Sequence, residues 1–261
     1  MKRAFRTVIY TTNEIDGAFL SCYALLTSMR LGSLGNGASS GTAVHATLGP
    51  GLYRVTQLSG NPDQQVAQTM RIMGERVKED ALAPAFQEHA ARVFDGLESS
   101  DTPEIINRAY GHVRSAIRFQ RDEDSGAGLG DLAPVDLVEF IVRPVDMARY
   151  VDQGIAIGDC DDFSAYLAAL LRTQGIDSKF CTVAASDLAP DQYSHVYVTA
   201  YVDGQRIPLD ASHGDFVGWE VEQERPVYRK DEWSTTGGCS LFSIGAIVAA
   251  AYLGWKALEA A

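Results

Sequence analysis

The hydrophobic positions repeat with a helical period over residues 63–122 and 158–174, and then with a period of two from residue 178 onward. Val66, Met70, Met73 and Val77 recur at helical spacing, and beyond Pro84 so do Phe86, Ala90 and Phe94. Two helices are expected there, with Pro84 breaking the run or restarting it. Residues 102–122 predict a third, in which Thr102 suits the cap, Pro103 the first turn, and Ile106, Tyr110, Val113 and Ile117 one apolar stripe. A fourth helix is predicted after Gly158 and Asp159, running to Thr173 or Gln174. Its apolar face carries Phe163, Leu167, Leu170 and Leu171, its alanines (Ala165, Ala168, Ala169) permit close packing, and Gly175 is a natural stop.

The period then shortens. "SKFCTVAAS" (178–186) and "SHVYVTAYV" (194–202) alternate like strands and are rich in β-branched and aromatic residues. Asp203–Gly204 is a strong two-residue hairpin turn, and "QRIPLDAS" returns as the partner strand. Residues summing to about 407 then face each other, which sets Asp210 opposite Val196 or Tyr197, next to His195. A slip or bulge of one residue aligns Asp210 with His195.

Two apolar runs stand apart from this pattern. Residues 18–42 begin apolar and decay into Gly and Ser after Arg30, as a short buried helix followed by a loop would. Leu241–Trp255 is apolar but falls short of the roughly 20 residues that cross a bilayer. Its Gly and Ala content suits a helix packed on its own core or on a neighbouring copy. Self-association or docking through this segment is the alternative, and membrane contact is left open. The boundaries drawn are residues 1–62 for an N-terminal arm with a Gly/Ser loop, 63–232 for the main domain, and 233–261 for an apolar C-terminal helix. No internal repeat is visible.

Composition narrows the function classes. The 261 residues suffice for a sizeable core, and 46% hydrophobic with 21% charged residues is ordinary for a globular chain. A net charge of −12 argues against a nucleic-acid surface. Cys22, Cys160, Cys181 and Cys239 lie far apart with no CxxC pair, so reduced thiols are expected rather than a zinc site or a disulfide framework. Asn13, Glu14 and Asp16 interrupt the basic N-terminus before any long apolar run, so no signal peptide is read and the cytoplasm is the expected place of synthesis. The Gly-rich stretch 123–134 lacks the ending of a phosphate-binding loop.

The chemistry concentrates in "GDCDDFSAYLAALLRTQGID" (158–177), where a cysteine opens a helix between aspartates. Asp159 suits the cap, and Asp161 and Asp162 suit the positive end of the helix dipole. The three lack the ligand spacing and glycine of a calcium loop, so no metal and no cofactor are expected. A helix N-terminus lowers a thiol's pKa and makes it a nucleophile, although three carboxylates oppose the thiolate. Such a thiol needs a base and an orienting acid, and His195 with Asp210 on adjacent strands supplies both. Cys181, in mid-strand, is expected to be an inert buried thiol. His213 is expected in a loop, and His45, His89 and His112 show no partner pattern.

At this point the chain resembles a known group. "GDCDDFSAYLAALLRTQGI" followed by "YSHVYVTAYVDGQRIPLDAS" is similar to the transglutaminase-like cysteine protein superfamily, a branch of the papain-like fold. The upstream "VRSAIRFQRD" resembles the helix-to-strand entry of its bacterial and phage members, and stand-alone phage and prophage proteins are the closest in form. The resemblance implies an α+β fold: a catalytic-type helix packed on an antiparallel sheet, preceded by a helical part. It also implies a Cys160–His195–Asp210 triad and acyl transfer through a thioester. The substrate would be a peptide or protein, attacked at a peptide bond or a glutamine amide, with hydrolysis preferred over cross-linking. The alternative it implies is a structural component of a phage particle, in the tail or elsewhere in the virion, docking on other phage proteins. Animal transglutaminases use an upstream tryptophan to stabilise the oxyanion, but here Trp219, Trp233 and Trp255 all lie downstream of the cysteine. Gln153 is the candidate donor in its place.

Overall fold

A computed structural model of the chain describes residues 7–11, 39–45, 49–122 and 138–236. The apolar run expected to be helical at 18–29 and the C-terminal segment 237–261 lie outside the described residues.

Helix α1 (Pro62–Asp80) starts at a reciprocal cap. Asn61 accepts the N–H of Gln64, and the Gln64 side chain accepts the N–H of Asn61. Pro84 does restart the chain as a separate helix, α2 (Pro84–Val93), because its ring is accommodated only in a first turn. Helix α3 (Thr102–Ala116) begins one residue earlier than the sequence suggests. Asp101, not Thr102, is the cap, since its carboxylate reaches the N–H of Glu104. The helix also ends sooner, giving way at an extended Ile117 to the two-residue strand β4 (Arg118–Phe119). After β5 (Val138–Ile141) the chain forms α4 (Pro144–Asp152), a helix with no strong period in the sequence, and then the short strand β6 (Ile157–Gly158).

The cysteine helix α5 (Cys160–Thr173) is not amphipathic in place. Every residue from Asp161 to Leu171 is buried, as expected for a helix enclosed on all sides. Helices α1, α3 and α4 pack on it, and strands β7 (Asp177–Ala184) and β8 (His195–Val202) cover the opposite side. Its alanines make that enclosure steric fact, since Ala165, Ala168 and Ala169 have no exposed surface. Met73, Val77, Phe86, Tyr166, Leu167, Phe180 and Val198 complete one continuous core. Burial of side chains of this size contributes about 1.5–3 kcal/mol each.

The sheet beneath α5 has the order β10–β7–β8–β9, all antiparallel, with β9 at Gln205–Leu209 and β10 at Arg229–Ser234. Asp203 and Gly204 both have positive φ, as the predicted tight turn requires. Strand β10 pairs with β7 through Ser234 and so crosses the boundary drawn at 233. A second sheet was not anticipated. Strands β1 (Thr7–Thr11), β2 (Ser39–His45) and β3 (Gly49–Gln57) join β5 in the order β2–β3–β1–β5, with β1 and β5 parallel. The expected N-terminal arm is thus partly strand, and β2 begins inside the Gly/Ser stretch. Among the described residues no helix is long and apolar enough to cross a membrane.

His89 and His112 do have partners. Tyr166, at the centre of α5, places its hydroxyl 2.5 Å from His89 Nε2 and 3.0 Å from His112 Nε2, and His89 Nδ1 meets Asp152 at 3.0 Å. These contacts join residues 54 to 77 positions apart, which no local pattern reveals. Burial lowers the pKa of both histidines, that of His112 to about 4, with His89 adding to the shift of His112. Both are therefore held neutral in the fold and take up protons near pH 6.5 when unfolded. The contribution of His112 is present above pH 6.5 and is lost as pH falls toward 4. The melting-temperature advantage of the wild type over His112→Gln should accordingly shrink between pH 7.5 and pH 5, because all other titrating groups are common to both proteins. A constant difference across that range would contradict this assignment.

Candidate active site

Cys160 is the first residue of α5, and its surroundings are fixed from both sides. Asp159 caps the helix, accepting the N–H of Asp161 at 3.3 Å, while Asp162 accepts the N–H of Asp159 at 3.3 Å. The other oxygen of Asp162 accepts the N–H of Val142 at 2.7 Å, which ties the helix head to the end of β5. Gly158 is required by this arrangement, because a Cβ there would lie 2.4 Å from Asp162 Oδ2. On the other side, Ser164 Oγ donates to the carbonyl of Cys160 at 2.6 Å and lies 3.2 Å from the carbonyl of Val196. The backbone of Val196 lies close enough to the Cys160 thiol to favour its ionised form. The sulfur is thereby seated beside the first residues of β8.

His195 opens β8, and Asp210 follows directly on β9. The ladder pairs Val198 with Leu209 and Val202 with Gln205, so the hairpin keeps the predicted register to its end. No slip is needed. Continuing the ladder sets Asp210 across from Tyr197, and His195 lies two residues along on the same face, a diagonal neighbour. His195 Nε2 meets Asp210 Oδ2 at 2.6 Å. The other oxygen of Asp210 accepts three donors: the Ser212 N–H at 3.2 Å, the Ser212 hydroxyl at 2.9 Å and the His213 N–H at 3.0 Å. Burial alone would push this fully enclosed carboxyl up, but the bond from His195, its charge and the Ser212 donor hold it below the usual range. Asp210 is therefore a carboxylate that fixes the imidazole by one edge and leaves Nδ1 as the basic nitrogen.

The ring of His195 stacks on Tyr197 at 5.9 Å and meets the edge of His213 at 4.6 Å. Beyond it, Phe119 touches both His213 at 5.2 Å and Phe163 at 6.3 Å. The loop position expected for His213 holds, but its ring contact with His195 was not legible. Neither were Ser164, whose hydroxyl finds the carbonyl of a strand 32 positions on, and Val196, which acts through its main chain.

The thiol itself departs from the helix-dipole expectation. Its pKa is raised well above the ordinary value, first by burial and then by Asp159, Asp161 and Glu139; the Val196 backbone opposes this less strongly. At neutral pH the resting cysteine is a thiol. Cys181 is buried in β7, as expected of an inert thiol. Gln153 is the exposed C-cap of α4, seven positions before Cys160 in the chain, and its side chain makes none of the hydrogen bonds described for Cys160, His195 or Asp210. Cys22 and Cys239 lie outside the described residues.

Comparison with known proteins bears on the same region. A search of curated proteins returns no match. Among solved structures, the chain is similar to a candidate cysteine protease from Cytophaga hutchinsonii, at 17% identity and a TM-score of 0.35, over 70% of this chain and 56% of that one. It is also similar to a candidate protease from Parabacteroides distasonis, at 14% identity and a TM-score of 0.42, over 77% of this chain and 39% of that one. The chain thus spans only part of the length of either protein. Residues 88–211, from α2 to the turn that holds Asp210, match the family model of the transglutaminase-like superfamily. The chain carries a transglutaminase-like superfamily domain over those residues, with the cysteine helix and the strands of His195 and Asp210 inside it.

Proposed function

We propose that the chain is a cysteine-dependent acyl-transfer enzyme acting on peptide or protein amides, with Cys160 as nucleophile, His195 as base and Asp210 as its orienting acid. The observation that carries this is the 2.6 Å contact of His195 Nε2 with a carboxylate anchored by three donors, one residue from the backbone that lies beside the Cys160 thiol. As Sγ attacks the amide carbonyl, its proton passes to His195 Nδ1, and the imidazolium then protonates the departing amine. The product is a thioester on Cys160. Water, deprotonated by His195, releases a carboxylic acid and regenerates the thiol; an amine in its place would give a new amide. Hydrolysis is the preferred outcome.

A raised thiol pKa fits this sequence of events, because the proton transfer then belongs to the attack and not to the resting state. The developing oxyanion would be met by the N–H of Cys160, one of the free N–H groups of a helix N-terminus. Gln153 is the proposed second donor, and no described hydrogen bond holds its exposed amide elsewhere. Mass spectrometry of a mixed peptide pool incubated with the enzyme, with and without added alkylamine, tests the reaction. New carboxyl termini or glutamine deamidation that vanish in Cys160→Ala are expected. Products that persist in Cys160→Ala would remove the thiol from the mechanism.

A further inference from the structure

Taking Cys160 as nucleophile and His195 as base, on which this inference rests, we propose that the substrate is an acidic peptide. A glutamate or aspartate side chain beside the scissile amide would be held by Arg121 and Arg225, on the His213 side of the site. Strand β4 carries the first arginine there. Phe119 pairs with Gly158, two residues before Cys160, and the N–H groups of Arg118 and Gln120 donate to the carbonyls of Ala156 and Gly158 at 3.0 and 2.8 Å. Arg121 follows directly. The Phe119 ring, 38% exposed, contacts the buried Phe163 of α5 at 6.3 Å and His213 at 5.2 Å. His213 in turn meets the edge of His195 at 4.6 Å. The second arginine arrives from beyond the buried Trp219, after the single 3₁₀ turn Val221–Gln223, where the Arg225 N–H donates to the carbonyl of Val221 at 3.0 Å. Both guanidinium charges reach His213.

What sets these two arginines apart is that the chain leaves them unpaired. With 34 acidic residues against 22 basic ones, a guanidinium on this surface readily finds a carboxylate, as Arg71, Arg92, Arg114 and Arg229 do. Arg121 and Arg225 are both exposed, and among the described residues neither side chain makes a hydrogen bond or an ion pair. The acids nearest to hand are engaged elsewhere. Asp122, next to Arg121 in the chain, accepts the N–H of Phe140, and Asp215, two residues past His213, pairs with Arg114 at 2.5 Å. A guanidinium meets a carboxylate with two parallel N–H···O bonds, a geometry that a neutral amide cannot fully return.

At the thiol the balance of charge is the reverse. The charges that act on Cys160 are those of Asp159, Asp161 and Glu139. An acidic side chain of the substrate is therefore repelled at the nucleophile and attracted at His213, which fixes the way the peptide lies across the site. The sequence does not show this, because Arg121 and Arg225 stand 104 positions apart and meet only when β4 and the segment after β9 flank the same histidine.

The test uses two series of epoxysuccinyl peptides, in which the residue on one side or the other of the electrophile is Glu, Gln or Lys and all else is the same. The rate of Cys160 modification is read by mass spectrometry in the full chain and in Arg121→Gln/Arg225→Gln, and the ratio between probes is compared within each protein. In one series the expected order is Glu, then Gln, then Lys, with Glu about tenfold faster than Gln at low salt. That ratio should shrink in about 1 M NaCl, a result that needs no variant, and should fall toward unity in the double variant. Equal rates for Glu and Gln in both series, with His195-dependent modification of Cys160 intact, would overturn the acidic substrate and leave the nucleophile in place. No modification of Cys160 by any probe would remove the nucleophile and this proposal with it. A preference for Glu that survives in the double variant would overturn the assignment to Arg121 and Arg225.

Discussion

Asp210→Asn is expected to slow acylation of Cys160 by about 10²- to 10⁴-fold while leaving the fold intact. The reason lies in how the carboxylate is held. Its Oδ1 accepts three donors from Ser212 and His213, so an asparagine must keep its carbonyl oxygen on that side. Its amide NH2 then replaces Oδ2 against His195 Nε2 and donates where the carboxylate accepted. That forces the neutral imidazole into the tautomer with the proton on Nδ1, and the base can no longer receive the thiol proton. The expected signature is a large loss of rate with an unchanged melting temperature within a few degrees. A variant as fast as the wild type would mean that Asp210 has no part in orienting the base. Asp210→Ala is the poorer experiment, since it also leaves the three donors of Ser212 and His213 without their acceptor.

Arg143→Met is expected to destabilise the protein by about 3–5 kcal/mol, the range for a buried ion pair that loses one partner. Arg143 caps α4 directly after β5. Its Nε meets both oxygens of Asp80 at 3.1 Å, and its Nη2 also bonds Asp80. Asp80, at the end of α1, is fully buried and also accepts the N–H of Val145. The pair thus joins the end of α1 to the start of α4, next to Val142, whose N–H anchors Asp162 at the head of the cysteine helix. Methionine keeps most of the stem's volume but leaves the Asp80 carboxylate without its cation. Urea unfolding should show a lower midpoint with an unchanged slope. A loss below about 1 kcal/mol would place the pair among the weak surface contacts.

Much of the site was legible in the sequence, and the reason is local chemistry. A cap residue before the cysteine, a glycine after the helix and an Asp-Gly turn between alternating strands each act within a few residues. Together they fix the helix, the hairpin and its register, and hence the meeting of His195 with Asp210. The helical stripes around Met73, Phe86 and Tyr110 were legible for the same reason, since all three are buried as their spacing requires. What was not legible depends on partners distant in the chain. Strands β1 to β3 pair with one another and with β5 some 130 residues on, and α4 carries its buried residues in a helix too short for a clear period. His89, His112 and Tyr166 meet only once α2, α3 and α5 have packed. The thiol's raised pKa belongs to the same class. The helix N-terminus is visible in sequence, but the burial and the Glu139 carboxyl that outweigh it arrive from the fold.

The most direct test of Cys160 as a nucleophile served by His195 is the rate at which a peptidyl electrophile, such as an epoxysuccinyl peptide, alkylates each cysteine, mapped by mass spectrometry in the wild type and in His195→Ala. Selective modification of Cys160 in the wild type, slowed about 10²-fold or more in His195→Ala, is the predicted result. Equal rates in the two proteins, or modification of Cys181 in preference to Cys160, would contradict the account.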